Sequence, residues 1–150
     1  MAAFVLHFAL ERPLRMAQSN ILVVEDDEAI RLLLIETLKE HADVSVDGAR
    51  DGVDALHHVT TKKYAVVILD VMMPLMTGID FLDSLEAMTS DPSVKGMDAL
   101  PAVLVITGAP DDHIPSRALE ERFPAMVRRV LRKPLDVDEL TQCVQLILEK

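Results

Sequence analysis

The chain has 150 residues, with 15 Lys and Arg against 25 Asp and Glu, for a formal charge of −10. That length suits one domain, and the acidity argues against binding a phosphate backbone by charge. Half of the residues are hydrophobic, yet only 3% are aromatic and none is Trp, so the core is expected to be aliphatic. The single cysteine, Cys143, excludes an internal disulfide and a thiolate zinc cluster, and it is read as a core residue of a cytoplasmic protein.

Residues 2–10 (AAFVLHFAL) are nearly all apolar, but the run is about half the length of a membrane-spanning helix. No basic residue precedes it, and it meets Glu11, Arg12 and Pro13 without a small-residue cleavage site, unlike a secretory signal. Residues 1–19 are therefore read as an extension outside the fold, with Met16 as an alternative start. A partner-binding or dimerising helix is the other reading, which leaves a homodimer open. The folded domain is expected over 20–150.

From Asn20 onward, apolar β-branched runs alternate with helical stripes. The expected strands are Ile21 to Val24, Asp43 to Val46, Ala65 to Leu69, Ala102 to Ile106 and Val127 to Leu131. The first, third and fourth are unbroken Val/Ile/Leu runs, as befits strands covered on both faces. The helical stripes are Ile30, Leu33, Leu34 and Leu38; Ala55, Leu56 and Val59; Phe81, Leu82, Leu85 and Met88; and Leu140, Cys143, Val144, Ile147 and Leu148 after a capping Asp136. A fourth helix, weaker in pattern, must lie between Asp112 and Phe123, with Pro115 in its first turn and Pro124 closing it. This alternation implies an α/β fold, a doubly wound parallel sheet with right-handed crossovers.

Such a sheet binds ligands beyond the carboxyl ends of its strands. Those ends carry Glu25, Asp26 and Asp27; Asp70; Thr107 and Gly108; and Lys133 and Pro134. Converging carboxylates need a compensating cation, and oxygen-only ligands favour Mg²⁺ before Ca²⁺. Carboxylate, magnesium, ammonium and hydroxyl together suit a phosphoryl group, whose transfer depends on positioning and charge neutralisation. Asp70, on the central strand, is the expected nucleophile. Asp27 reads equally well as a helix cap, Arg31 as a helix-surface residue, and His57 and His58 as solvated, since adjacent helix positions point about 100° apart.

With these residues in place, the sequence resembles the response-regulator receiver domain of two-component signalling over residues 20–150. ILVVEDDEAIR at 21–31 is similar to its acidic-pair strand, and VVILDVMMPLMTG at 66–78 to its phosphoacceptor segment, with Asp70, Met73, Pro74, Met76 and Gly78 in the family spacing. VLVITG at 103–108 and LRKP at 131–134 complete the match. The resemblance implies a flavodoxin-like five-stranded sheet of order 2-1-3-4-5 with Asp70 accepting phosphate from a histidine kinase or histidine phosphotransfer protein. It further implies Mg²⁺ held by Glu25, Asp26, Asp70 and the backbone carbonyl of Met72. Thr107 would bond a phosphoryl oxygen, Lys133 would pair with the phosphorylated carboxylate, and the Lys133–Pro134 bond would be cis. Output would pass to a downstream protein, with no DNA-binding domain in the chain and no membrane role.

The sequence departs from the family at Val130, where a Tyr or Phe usually relays the switch. It also departs in a longer segment from Thr107 to Lys133, where six basic residues face two acidic ones between 117 and 133, a net +4. That segment reads as a solvated face or as a docking surface for an acidic partner. The residues flanking the site, Met72 and Ala109, are apolar and cannot orient a water, so self-dephosphorylation is expected to be slow. An aspartate-nucleophile phosphatase would want a second Asp where Met72 stands, and no nucleotide-binding glycine motif occurs. A non-phosphorylated receiver-like interaction module is the alternative function.

Overall fold

The computed structural model describes residues 19–41, 43–73, 75–94, 99–108 and 116–149. Five strands, β1 (Ser19–Val24), β2 (Val44–Ala49), β3 (Val66–Asp70), β4 (Ala102–Thr107) and β5 (Val127–Arg132), alternate with five helices. The helices are α1 (Glu28–His41), α2 (Gly52–Thr61), α3 (Gly78–Thr89), α4 (Ser116–Arg122) and α5 (Val137–Leu148). All strand pairs are parallel, in the order β2-β1-β3-β4-β5. This is the doubly wound sheet that the alternation implied, in the flavodoxin-like strand order that the resemblance implied. The expected extension over 1–19 lies outside the described residues except for Ser19, which opens β1.

Because strand side chains alternate between faces, the unbroken apolar runs feed two cores. Ile21 and Val23, Val66 and Ile68, and Leu104 and Ile106 pack with Leu34 and Leu38 of α1 and Leu140, Cys143 and Val144 of α5. Leu22 and Val24, Val67 and Leu69, and Val103 and Val105 pack on the other side with α2, α3 and α4, around Phe81, Leu82, Leu119 and Phe123. Cys143 is in the core, as read from its stripe.

Elements β2 and α1 differ most from expectation. Strand β2 runs on through Asp47, Gly48 and Ala49, residues of low strand propensity, because β1 pairs with it along its whole length, Ser19 with Val44 through Val24 with Ala49. Helix α4, Ser116–Arg122, falls within its expected span between Asp112 and Phe123, the earlier part of which, with Pro115, lies outside the described residues. In α1, Leu34 and Leu38 are buried, but Ile30 and Leu33 are 38% and 62% exposed. Its sheet-facing stripe is 31, 34, 35 and 38, with Arg31 in a slot where an apolar residue would be expected. The arginine thus shifts the apparent apolar face by one residue, about 100° around the helix.

Candidate functional site

The carboxyl ends of β1, β3, β4 and β5 meet where Glu25, Asp26, Asp70, Thr107 and Lys133 were read. Glu25 directly follows β1, its amide bonded to the Ala49 carbonyl of β2 at 3.0 Å. Its side chain and that of Asp70 are almost fully buried, while Asp26 is exposed. Ligand oxygens of Glu25, Asp26 and Asp70 all lie within 4.8 Å of one another. Asp27 is not of this group: its carboxylate accepts from the Ile30 amide at 3.0 Å, capping α1. His57 is exposed, whereas His58 is partly buried and its Nδ1 lies 2.9 Å from the Asp54 carbonyl, so the solvated reading fails for His58.

Lys133 reaches back from beyond β5 and places Nζ 3.3 Å from Asp70 Oδ2 and 3.4 Å from Glu25 Oε1. Its amide bonds the Thr107 carbonyl at 2.9 Å, and the Lys133–Pro134 bond is cis, as the resemblance implied. Asp70 Oδ1 accepts from the Met72 amide at 3.0 Å. The Met72 side chain is 60% exposed beside the site, and Thr107 is fully buried at the end of β4. Ala109, the other flanking residue named from sequence, lies outside the described residues, as does Pro74.

One cation does not balance this many carboxylates. Burial, then the hydrogen bond and charge of Asp70, push Glu25 up to about 8, against the opposing pull of Lys133. Burial pulls Lys133 down, but the Asp70 and Glu25 charges and hydrogen bonds outweigh it and raise its pKa. A cluster with a surplus of negative charge, oxygen donors only and one exposed member fits a hard divalent cation.

Backbone packing sets the position of Asp70. Gly78 opens α3 directly against the end of β3, its amide 3.1 Å from the Val71 carbonyl. A Cβ there would lie 2.8 Å from Val71 Cα and 3.0 Å from the Asp70 carbonyl, so only glycine permits this approach. Between them, Leu75 takes a left-handed backbone at φ 69°. Alongside the site, a groove of about 280 Å³ runs between α1 and the start of α5, lined by Ile30, Leu33, Leu34, Pro134, Leu135 and Val137. Most cations of the basic segment are paired, largely with carboxylates outside it. Arg117 pairs with Glu121, Arg122 with Asp83 of α3, and Arg129 with Glu139 of α5. Val130 is partly buried against the core.

One residue set aside at the sequence level belongs here. Arg31 Nη1 donates to the Glu25 carbonyl at 2.9 Å. The signal that could have found it is Gly48 on the facing strand, which leaves room for the arginine stem.

The response regulator receiver domain family matches residues 21–145. The response regulator MprA of Mycobacterium bovis (strain BCG / Pasteur 1173P2) is 33% identical over 126 residues, 80% of this chain and 54% of the relative. MprA of Mycobacterium avium (strain 104) is 31% identical over 124 residues, again 80% and 54%. The chain spans about half the length of these curated relatives. In fold it is similar to the signal receiver domain of a putative LuxO repressor protein from Vibrio parahaemolyticus, with a TM-score of 0.73 at 23% identity, over 88% of this chain and 91% of that one. Chemotaxis protein CheY4 of Vibrio cholerae gives 0.69 at 24%, over 87% and 99%.

Proposed function

The chain belongs to the response-regulator receiver family, and on that premise we propose that it accepts a phosphoryl group on Asp70 from a histidine kinase or a histidine phosphotransfer protein. The observation that carries this is the Lys133 ammonium held between two buried carboxylates, Asp70 and Glu25, beside a third, Asp26. Among the described residues no helix is long and apolar enough to cross a membrane, and the site of action is proposed to be the cytoplasm.

An Asp70 carboxylate oxygen bonds to phosphorus as the P–N bond of the phosphohistidine breaks and the imidazole leaves. The Met72 amide holds Oδ1 and thereby sets the rotation of the carboxylate. Lys133, already beside Oδ2, pairs with the acyl phosphate, and the Thr107 hydroxyl bonds a phosphoryl oxygen. Glu25, Asp26, Asp70 and the Met72 carbonyl would hold Mg²⁺, which when bound neutralises charge on the phosphoryl oxygens. The chain serves as a switch or relay intermediate rather than an enzyme with turnover. Met72, apolar and beside the site, positions no water, so self-dephosphorylation is slow.

The test is intact mass after incubation with acetyl phosphate, with Mg²⁺ or with chelator, for the wild type and Asp70→Asn. One metal-dependent phosphoryl adduct, absent in the variant, is expected. A folded, Mg²⁺-binding chain that takes no adduct would overturn the reading and favour a non-phosphorylated interaction module.

A further inference from the structure

Helix α1 presents 31, 34, 35 and 38 to the sheet, and three of these four positions are filled by Leu34, Ile35 and Leu38. Arg31, the fourth, spends a core-facing position on a charged side chain, which needs a compensating role. Its stem lies along β2, where a Cβ on Gly48 would come within 3.1 Å of Arg31 Cδ and 3.0 Å of Ile35 Cδ1. Its guanidinium ends on the Glu25 carbonyl oxygen at 2.9 Å, a charge-assisted bond of good length.

That carbonyl belongs to the peptide joining Glu25 to Asp26. The Glu25 amide is already fixed by the Ala49 carbonyl of β2. Glu25 is therefore held by β2 at its N–H, by α1 at its C=O and by Lys133 at its side chain. Asp26 has no such grip of its own: it is exposed, and its carboxylate makes no hydrogen bond or ion pair among the described residues. Its place near Asp70 is set through the backbone, and the plane of the Glu25–Asp26 peptide fixes where its Cα sits.

We propose that Arg31, seated in the space left by Gly48, is a positioning residue for the cation site: it locks the Glu25–Asp26 peptide so that both carboxylates face Asp70 before a cation arrives. Preorganised ligands avoid the cost of ordering the turn on binding, and outer-shell partners of metal ligands commonly contribute a factor of 10–100 in affinity. This inference rests on the metal-dependent reading of the site.

The experiment uses the full chain with Arg31→Met, which keeps the stem but removes every donor. Arg31→Lys keeps a donor and the charge, Gly48→Ala crowds the stem, and Ile35→Ala loosens the same helix face without touching Glu25. Mg²⁺ affinity is measured by calorimetry, and amide exchange over residues 25–27 is measured in chelator. Arg31→Met should weaken Mg²⁺ on the order of tenfold and speed exchange in the turn. Arg31→Lys should recover part of both, Gly48→Ala should fall between, and Ile35→Ala should leave affinity within about twofold of the wild type. Wild-type affinity in Arg31→Met, or an equal loss in Ile35→Ala, would reduce the arginine to a packing role and overturn the proposal. A wild type that takes up no Mg²⁺ fails the phosphoacceptor reading instead. In that event the metal-free exchange still decides the brace: unaltered exchange in Arg31→Met overturns it, and faster exchange supports it.

Discussion

Two ion clusters in this molecule are built from the same parts and balanced differently. On β2, Asp47 Oδ2 accepts from Lys62 Nζ at 2.9 Å and from the Tyr64 hydroxyl at 2.7 Å. Burial alone would raise Asp47, but those bonds and the Lys62 charge outweigh it and bring it below the ordinary carboxylate range. At the carboxyl end of the sheet, one lysine serves Glu25 and Asp70 with Asp26 close by, and Glu25 is driven up instead. One carboxylate with two donors is a finished structural tie. Two carboxylates on one ammonium with a third close by are an unfinished one, and under the proposed function the surplus negative charge is where a cation would bind.

The largest expected effect separates stability from binding at that site. Glu25→Gln removes the carboxyl whose ionisation is costliest in the cluster, so in chelator above pH 8 the variant should melt at or above the wild-type temperature while its Mg²⁺ affinity falls by at least tenfold. Asp47→Asn should do the reverse, losing about 1 kcal/mol because its partners are partly exposed and screened, with metal affinity intact. Thermal melts and Mg²⁺ titrations on the two variants read the difference directly. A Glu25→Gln chain that melts well below the wild type would place Glu25 with the structural ties and end the contrast.

The two clusters also respond to pH in opposite senses. Glu25 is raised from 4.5 to about 8, so between those values the folded chain holds a proton that the unfolded chain has released. Stability in chelator should therefore fall as pH rises through that window and level off above it. Saturating Mg²⁺ should remove most of the slope, with proton release on binding near neutral pH detectable by calorimetry in buffers of different ionisation enthalpy. Asp47 is lowered, so its contribution is present above the ordinary carboxylate range and is lost only in acid, as pH falls through its depressed value. Chelator melts that stay flat from pH 5 to 8 would show that the Glu25 charge is already compensated within the protein.

The contrast also marks what could be read from sequence. The site was legible because each member sits at a strand end, and a parallel sheet brings those ends to one edge whatever the loops do. The Asp47 cluster was not, because its partners lie 15 and 17 residues away in the connection between α2 and β3, with no motif linking them. Strand β2 was read short for a related reason: Asp47 and Gly48 look like a break, and pairing with β1, together with the Tyr64 and Lys62 bonds and the Arg31 stem, explains their place in a strand. The face of α1 was misread by one position because a buried arginine stem breaks an apolar pattern that otherwise predicts packing well. Tyr64→Phe tests how much the tie contributes. It leaves Lys62 in place and should cost about 1 kcal/mol, from the lost bond to a charged acceptor, with no change in Mg²⁺ affinity.

The smallest effect extends the contrast from charge to backbone. Leu75, in the turn between Asp70 and α3, is 90% exposed and holds φ at 69°, so its side chain contributes almost no packing there. A left-handed backbone costs an L-residue roughly 1–2 kcal/mol, and glycine removes that cost but loses about 0.5–1 kcal/mol in added unfolded-state freedom. Leu75→Gly should therefore stabilise the chain by roughly 0.5 kcal/mol, while Leu75→Ala, which keeps a Cβ and hence the strain, should not. Denaturant melts of the pair isolate the backbone, because both variants discard the same exposed leucine side chain. If glycine proves no better than alanine, the turn after Asp70 stores no strain, and the tension at this edge of the sheet resides in its charges alone.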